Sequence, residues 1–274
     1  MSDLTFRAAQ EIVLESAETL KPELASIDNC LGLVLAEEIF APEDIPPFTN
    51  SAMDGFALRA EDTLQATEKD PVALAILGDT PAGSVFPRQV CAGTAVRIMT
   101  GAPLPPGADT VVKVEDTRAD DSRVIIFHPV KKGSNVRIKG EDLRQNERIL
   151  ASGTILRAAQ IGVCASLGYS LIHVYPRVKV AIVTTGDELV PIKQKPGPGQ
   201  IRDSNLYTLR SQVLEVGGIP LLYPGIPDQR QEVLQALTRA LENAVVVLTS
   251  GGVSVGKYDF VKEVVADLQA ESKF

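Results

Sequence analysis

Acidic side chains stand just after three stretches of this chain that have the composition of buried strands. They are Asp187 and Glu188, then Asp228, and then Asp259. If the three stretches form one parallel sheet, their carboxyl ends meet at one edge of the sheet, and the carboxylates converge there. Converging carboxylates repel one another unless a cation lies between them. Mg²⁺ takes oxygen ligands and commonly links one or two carboxylates to a substrate phosphate, so the pattern predicts a magnesium site for a phosphorylated substrate.

The loop after the third stretch is also rich in small residues. It contains Ser250, Gly251, Gly252 and Ser254. Unpaired backbone N–H groups at the start of the following helix would make this loop a site for an anion. Residues 251–257 also fit the spacing of a P-loop. A P-loop has Ser or Thr at the next position to hold Mg²⁺, but this chain has Tyr258, so we reject a P-loop nucleoside triphosphatase.

A more ordinary role is open for each of these residues taken alone. A single Asp after a strand commonly caps a helix or forms a turn. Residues 203–205 (DSN) are expected to be a capping cluster first and a ligand contact second. The occurrence of polar signals at three successive strand ends is what favours a binding site.

The elements that must hold these residues alternate as strand and helix after Pro176. The predicted strands are 178–184, 220–223 and 244–249, and the predicted helices are 206–216, 230–242 and 260–268. The run that begins at Ala244 is apolar without alternation, as in a parallel strand buried on both faces. We therefore predict a doubly wound α/β domain over residues 177–274. It looks incomplete, since three strands make a small sheet.

The rest of the chain is predicted to be a β-rich domain inserted between helical pieces. Residues 46–139 contain the β-rich domain, with strands at 72–77, 95–99, 110–114 and 123–127. The helical pieces begin after Thr5, run over 30–40, and run again over 158–167 before Gly168. The fold class is mixed α/β and β, in several domains.

Composition excludes several classes of function. Lys and Arg number 27 against 35 Asp and Glu, so the net charge is −8, which is unsuited to clamping nucleic acid. Aromatic residues make up 5% and Trp is absent, which disfavours a stacking platform for bases. The longest unbroken apolar run, 72–77, is far too short to span a membrane. Cys30, Cys91 and Cys164 lie among apolar residues and are expected to be buried thiols of a soluble, cytoplasmic protein.

Several blocks of the chain resemble the molybdopterin molybdenumtransferases, the MoeA and gephyrin E-domain family. The most specific are residues 46–57 (PPFTNSAMDGFA) and 97–103 (RIMTGAP). Weaker blocks occur in the family's order, at 107–112, 133–137, 140–142, 184–189, 203–205 and 249–256. The resemblance covers the chain from its first helix to its end.

The resemblance implies a fold, an activity and a set of site residues. The fold would be an elongated homodimer with a helical stalk (1–45 and 140–176), a β-rich domain (46–139) and a molybdopterin-binding α/β domain (177–274). The activity would be insertion of molybdate into adenylylated molybdopterin, a small anionic pterin, with Mg²⁺-dependent release of AMP; a molybdopterin adenylyltransferase would be a possible partner. Three carboxylates would be catalytic and hold the metal, namely Asp187, Asp228 and Asp259. Substrate would contact Asp54, Thr100 and Asp142 of one subunit and Glu188, Ser250, Gly251, Gly252 and Ser254 of its partner.

One departure from the family leaves an alternative open. The family continues into an Arg-Pro-Gly-Lys-Pro block and a C-terminal β-barrel, neither of which is among these 274 residues, so we expect a shortened copy. The alternative function is a truncated, non-catalytic dimeric scaffold or molybdopterin-binding module of the same family. A molybdopterin adenylyltransferase-like protein would share the α/β domain but would lack residues 46–57.

Overall fold

The structure is a computed structural model, and it describes residues 4–251, 260–271 and 273. Its helices are α1 (Phe6–Glu15), α2 (Ala158–Ser166), α3 (Asn205–Glu215), α4 (Arg230–Asn243) and α5 (Phe260–Asp267). Its strands are β1 (Glu23–Ser26), β2 (Val34–Leu35), β3 (Ile39–Phe40), β4 (Asn50–Ser51), β5 (Gly55–Leu58), β6 (Val72–Thr80), β7 (Thr94–Ile98), β8 (Thr110–Lys113), β9 (Thr117–Ala119), β10 (Arg123–Ile126), β11 (Val136–Arg137), β12 (Arg148–Leu150), β13 (Leu171–Tyr175), β14 (Lys179–Thr185), β15 (Leu189–Val190), β16 (Ile201–Arg202), β17 (Ile219–Ile226) and β18 (Val246–Ser250). The mixed α/β class is confirmed.

The chain divides into two compact units. The first takes in the described residues of Met1–Glu37, Gly153–Gly162 and Ser170–Phe274. The second takes in Glu38–Ser152 and Val163–Tyr169. The three-part division made from the sequence, with its stalk, stays a prediction.

The first unit contains a parallel sheet in the order β17-β14-β18. Alternate residues of β14 point to opposite faces: Val180 and Ile182 pack against α3, while Ala181 and Val183 pack against α4 and α5. A parallel sheet with helices on both faces is the doubly wound layout that the sequence predicts. Of these three strands, β14 comes first in sequence and lies in the middle of the sheet, so the winding changes direction at its carboxyl end.

The same unit carries an antiparallel sheet in the order β1-β13-β2. The helix predicted over residues 30–40 is therefore wrong, because this stretch contributes β2 to that sheet and β3 to a pair with β12. Gly32 has a φ of 78°, which interrupts a right-handed helix. Leu33, Leu35 and Ile39 are buried at a spacing that fits strand alternation as well as a helix face.

The second unit is built on a six-stranded sheet in the order β8-β5-β7-β6-β10-β9. Strands β6 and β7 are parallel, and the other neighbours are antiparallel. One face packs around Phe56, Leu58 and Leu74, and the other around Ala57 and Ile98. Two-stranded pairs, β4 with β11 and β3 with β12, belong to the same unit. The predicted β-rich character of residues 46–139 is confirmed.

The cysteines do not all match the expectation from sequence. Cys30 and Cys164 are buried, and burial raises the pKa of the Cys30 thiol. Cys91 is exposed, which corrects the prediction that it is buried. It lies in the turn before β7, where its backbone N–H bonds to the hydroxyl of Thr94. The turn carries it to the surface although its neighbours in sequence are apolar.

Among the helices of residues 4–251, 260–271 and 273, none is long and apolar enough to span a membrane.

Candidate functional site

The carboxyl ends of β14, β17 and β18 form what we call the strand-end crevice, around Thr185, Asp187, Asp228 and Ser250. It lies at the point where the winding of the sheet changes direction, which is where open α/β sheets bind ligands. A cavity of about 140 Å³ opens there, and its walls include Thr185, Glu188, Asp203, Asn205, Ser250 and Gly251. The three strand ends that the sequence predicts to lie at one edge of the sheet are therefore found together.

Two of the predicted acidic residues are neighbours in this crevice. The backbone N–H of Asp228 donates to Oδ1 of Asp187 over 3.2 Å, so the turn after β17 is tied to the turn after β14. Asp187 is exposed and Asp228 is half-buried. Glu188 folds back, since a Cβ placed on Gly186 would lie 2.5 Å from its Oε2. The oxygens of these side chains suit Mg²⁺.

The described residues do not by themselves complete a metal site. In those ranges no group of three or more His, Cys, Asp or Glu side chains is placed to hold an ion. The third predicted ligand, Asp259, lies outside the described residues, as do Gly252 and Ser254. The assignment of Asp187, Asp228 and Asp259 to a metal therefore stays a prediction.

The other side of the crevice is lined by β18 and the start of α3. Ser250 accepts a hydrogen bond from Nδ2 of Asn205 over 2.8 Å. Gly251 has a φ of 100°, and a Cβ there would lie 2.9 Å from the carbonyl oxygen of Thr185. Only glycine fits this close approach to the end of β14.

A buried network below the crevice was missed by sequence reasoning. The hydroxyl of Thr184 donates to Oδ2 of Asp203 over 2.5 Å, and the backbone N–H of Gly225 donates to the same hydroxyl oxygen over 3.0 Å. Asp203 also accepts from the backbone N–H of Leu206 over 3.1 Å, so the predicted capping role of residues 203–205 is confirmed for Asp203. The position of Asp203 just before a helix indicated its capping role, but no sequence pattern indicated its hydrogen bond with the hydroxyl of Thr184.

The second unit holds the remaining predicted residues, and it brings two of them together. Asp54 accepts hydrogen bonds from the backbone N–H and the hydroxyl of Thr100, each at 2.7 Å. These two bonds hold the pKa of the Asp54 carboxyl below its ordinary value, the backbone bond being the larger cause. A cavity of about 380 Å³ adjoins Asp54, and the guanidinium of Arg97 lies 5.5 Å from the centre of the Phe56 ring at its wall.

Asp142 is held separately, by a guanidinium. Arg137 contacts the carboxylate of Asp142 and donates to Oε1 of Glu141 over 2.7 Å. Its bond to Glu141 is the main reason why the pKa of that carboxyl is lowered. Arg137 was not among the predicted site residues, and its contacts are made across a turn after β11 rather than along a helix.

The chain matches two known protein families. Residues 4–168 match the family described as the MoeA N-terminal region (domain I and II). Residues 181–273 match the family described as a probable molybdopterin binding domain. Together the two matches take in both units of the fold.

Individual relatives agree with these families. The chain is 40% identical over 249 residues to a molybdopterin molybdenumtransferase of Nostoc sp., covering 91% of this chain and 57% of the relative. It is 34% identical over 256 residues to the enzyme of that name from Bacillus subtilis, covering 92% of this chain and 60% of the relative. The crystal structure of the molybdopterin biosynthesis MoeA protein from Pyrococcus horikoshii matches with a TM-score of 0.83 at 33% identity, over 90% of this chain and 66% of that one. The chain thus spans about three fifths of the length of these two curated relatives.

Proposed function

The chain belongs to the MoeA family, and from that premise we propose that it acts in molybdenum cofactor biosynthesis as a molybdopterin molybdenumtransferase. The observation that carries the proposal is the strand-end crevice, in a domain matched to a molybdopterin-binding family. There Asp187 and Asp228 lie side by side after β14 and β17, and Ser250 ends β18 on the other side of β14. The substrates would be molybdate and adenylylated molybdopterin, a small anionic pterin. The products would be the molybdenum-loaded pterin and AMP.

Some residues of the crevice would bind a metal, and others would bind an anion. Asp187, Asp228 and Asp259 would hold Mg²⁺, and Glu188 would lie beside them. When bound, the cation would offset the negative charge that builds up on the phosphate as AMP leaves. Ser250, Gly251, Gly252 and Ser254 would bind the phosphate or the pterin through backbone N–H groups and hydroxyls.

The second unit would supply the other face of the site. We propose that Asp54, Thr100 and Asp142 contact substrate. The double hydrogen bond from Thr100 favours the ionised form of Asp54 and fixes its direction, so Asp54 would act as an acceptor for donor groups of the pterin. The protein would work in the cytoplasm as a homodimer in which these residues meet the crevice of the partner subunit. A molybdopterin adenylyltransferase would be a possible partner, because its product is the adenylylated substrate.

The experiment that tests the function is AMP release by the purified chain from adenylylated molybdopterin, molybdate and Mg²⁺. We expect release that depends on both molybdate and Mg²⁺, and a loss of at least about tenfold in Asp187→Asn and Asp228→Asn, since each variant removes one carboxylate charge from the metal. Glu215→Gln is the matched control, because it removes one carboxylate from the exposed end of α3 in the same unit. A folded wild-type dimer that releases no AMP would refute the enzymatic function and leave a binding module.

A further inference from the structure

Strand β17 contains one extra residue just before its end. Across the irregularity β14 advances from Val183 to Thr185, whereas β17 advances from Tyr223 to Ile226. Three steps on one strand against two on the other is a β-bulge, which bends the strand and changes the direction of the next segment. The next segment of this chain is the turn that carries Asp228.

The bulge needs a side chain to satisfy its backbone. Gly225 lies in it with a φ of 57°, and Pro224 beside it has no N–H. The N–H of Gly225 finds its acceptor in the hydroxyl oxygen of Thr184, 3.0 Å away, rather than in a carbonyl of β14. The bulge is therefore held by one side-chain hydroxyl.

The direction of that hydroxyl is set by a buried carboxylate. Thr184 is fully buried and Asp203 is 6% exposed. Because the O–H of Thr184 donates to Oδ2 of Asp203 over 2.5 Å, the lone pairs of its oxygen are left for the N–H of Gly225. The other oxygen of Asp203 accepts from the N–H of Leu206, which anchors the carboxylate at the start of α3. An ionised acceptor makes such a bond shorter and stronger than a neutral pair.

From this network we propose that Asp203 and Thr184 are positioning residues that place Asp228 against Asp187. The chain of contacts runs from Asp203 through Thr184 to Gly225, and the turn then brings the N–H of Asp228 to Oδ1 of Asp187. Neither residue is proposed to contact the reacting atoms. Their effect on metal binding rests on the proposed function, whereas their effect on the bulge does not.

The variants that test the network are Thr184→Val, which keeps the shape and removes the hydroxyl, and Thr184→Ser, which keeps the hydroxyl. Thr238→Val is the matched control, because it removes a hydroxyl that bonds to the carbonyl of Leu234 within α4, away from the crevice. Asp203→Asn tests the carboxylate itself. Its amide oxygen can still accept from the N–H of Leu206, so the contact with the start of α3 is kept while the charge is removed. Hydrogen exchange and ¹H–¹⁵N spectra of the full chain report on the amides of Gly225 and Asp228.

We expect the amide of Gly225 to exchange about tenfold faster in Thr184→Val, because its acceptor is gone. The amide resonance of Asp228 should shift in the same variant. Asp203→Asn should show a smaller change of the same sign, and Thr184→Ser and Thr238→Val should resemble the wild type. Unchanged exchange at Gly225 in folded Thr184→Val would overturn the network. If Thr184→Val does not fold, unchanged exchange at Gly225 in Asp203→Asn would overturn the network instead.

The link to function is read from a Mg²⁺ titration monitored at the amide of Asp228. The half-saturating Mg²⁺ concentration should rise several-fold in Thr184→Val and be restored in Thr184→Ser. Faster exchange at Gly225 with an unchanged Mg²⁺ titration would overturn the positioning role. A wild-type protein that does not respond to Mg²⁺ would instead refute the proposed metal site, and the exchange at Gly225 would still decide whether the network exists.

Discussion

The carboxylate of Asp54 is clamped by a single residue, Thr100, which donates to it from both its backbone N–H and its hydroxyl at 2.7 Å. The two residues are far apart in sequence, and each lies in a block that identifies the family. Donors on one side of a carboxylate stabilise its ionised form and fix its direction. Asp54 is therefore an oriented acceptor beside a cavity of about 380 Å³.

Removal of the hydroxyl should weaken this clamp without abolishing it. In Thr100→Val we expect the pKa of Asp54 to rise toward its ordinary value of 3.8 and to stay below it, because the backbone bond is the larger cause and remains. An NMR titration of the Asp54 carboxyl carbon measures the shift. Thr67→Val is the control, since its hydroxyl serves the backbone of Asp70 instead. Equal pKa values in wild type and Thr100→Val would contradict the role of the hydroxyl.

The same contacts predict how stability depends on pH. A carboxyl whose folded pKa is lowered contributes stability that is present above its unfolded pKa of 3.8 and is lost as the pH falls through the folded value. We expect wild type to melt above Asp54→Asn near neutral pH, and this difference in melting temperature to shrink as the pH falls below 3.8. Comparison of the two proteins cancels the titration of the other carboxylates. A difference that stays constant over this range would argue against an ionised, clamped Asp54.

The residue after Asp54 has no room for a side chain. A Cβ on Gly55 would overlap the carbonyl oxygen of Val112 and lie 2.9 Å from its carbon. Since that obstacle is backbone of the neighbouring strand, Gly55→Ala should cost about 1–3 kcal/mol in the free energy of unfolding. Denaturant unfolding measures the loss.

The matched control for this substitution lies in a helix. Gly162 is within α2, and a Cβ there would have no neighbour within 4 Å. Gly162→Ala should therefore raise the free energy of unfolding by about 0.5–1 kcal/mol, because alanine loses less entropy than glycine on entering a helix. The same sign of change in both variants would contradict the steric explanation for Gly55.

Arg137 should lower the pKa of one acidic neighbour, Glu141. In Arg137→Gln we expect the pKa of Glu141 to rise, because its largest stabilising contact is lost and only the N–H of Ile138 remains. A carboxyl-carbon titration measures it. Arg144→Gln is the control, because it removes the same charge nearby. The bond from Arg144 to Glu147 is made by its backbone N–H, so this substitution leaves that bond in place. A pKa of Glu141 that moves equally in both variants would indicate a general charge effect.

Local patterns in the sequence predicted most of the α/β domain. The alternation of strand and helix after Pro176, the apolar run that begins at Ala244 and the polar residues after each strand are properties of neighbouring residues, so they can be recognised without a partner. They placed Asp187 and Asp228 at strand ends, and the structure brings those two residues together. The family blocks extended this to Asp54 and Thr100, which also meet.

Tertiary structure decided what depends on contacts between distant segments. Residues 30–40 carry apolar spacing that suits a helix or a strand, and pairing with β13 and β12 selects the strand. Strand order, with β14 in the middle, fixes where the winding reverses and so where the crevice lies. The hydrogen bond from Gly225 in the bulge to Thr184 and the hydrogen bond from Thr184 to Asp203 cannot be recognised from sequence spacing, because Gly225 and Asp203 lie 41 and 19 residues from Thr184 along the chain. The sequence by itself determined which residues can do chemistry, and only packing between distant segments decided their positions and orientations relative to one another.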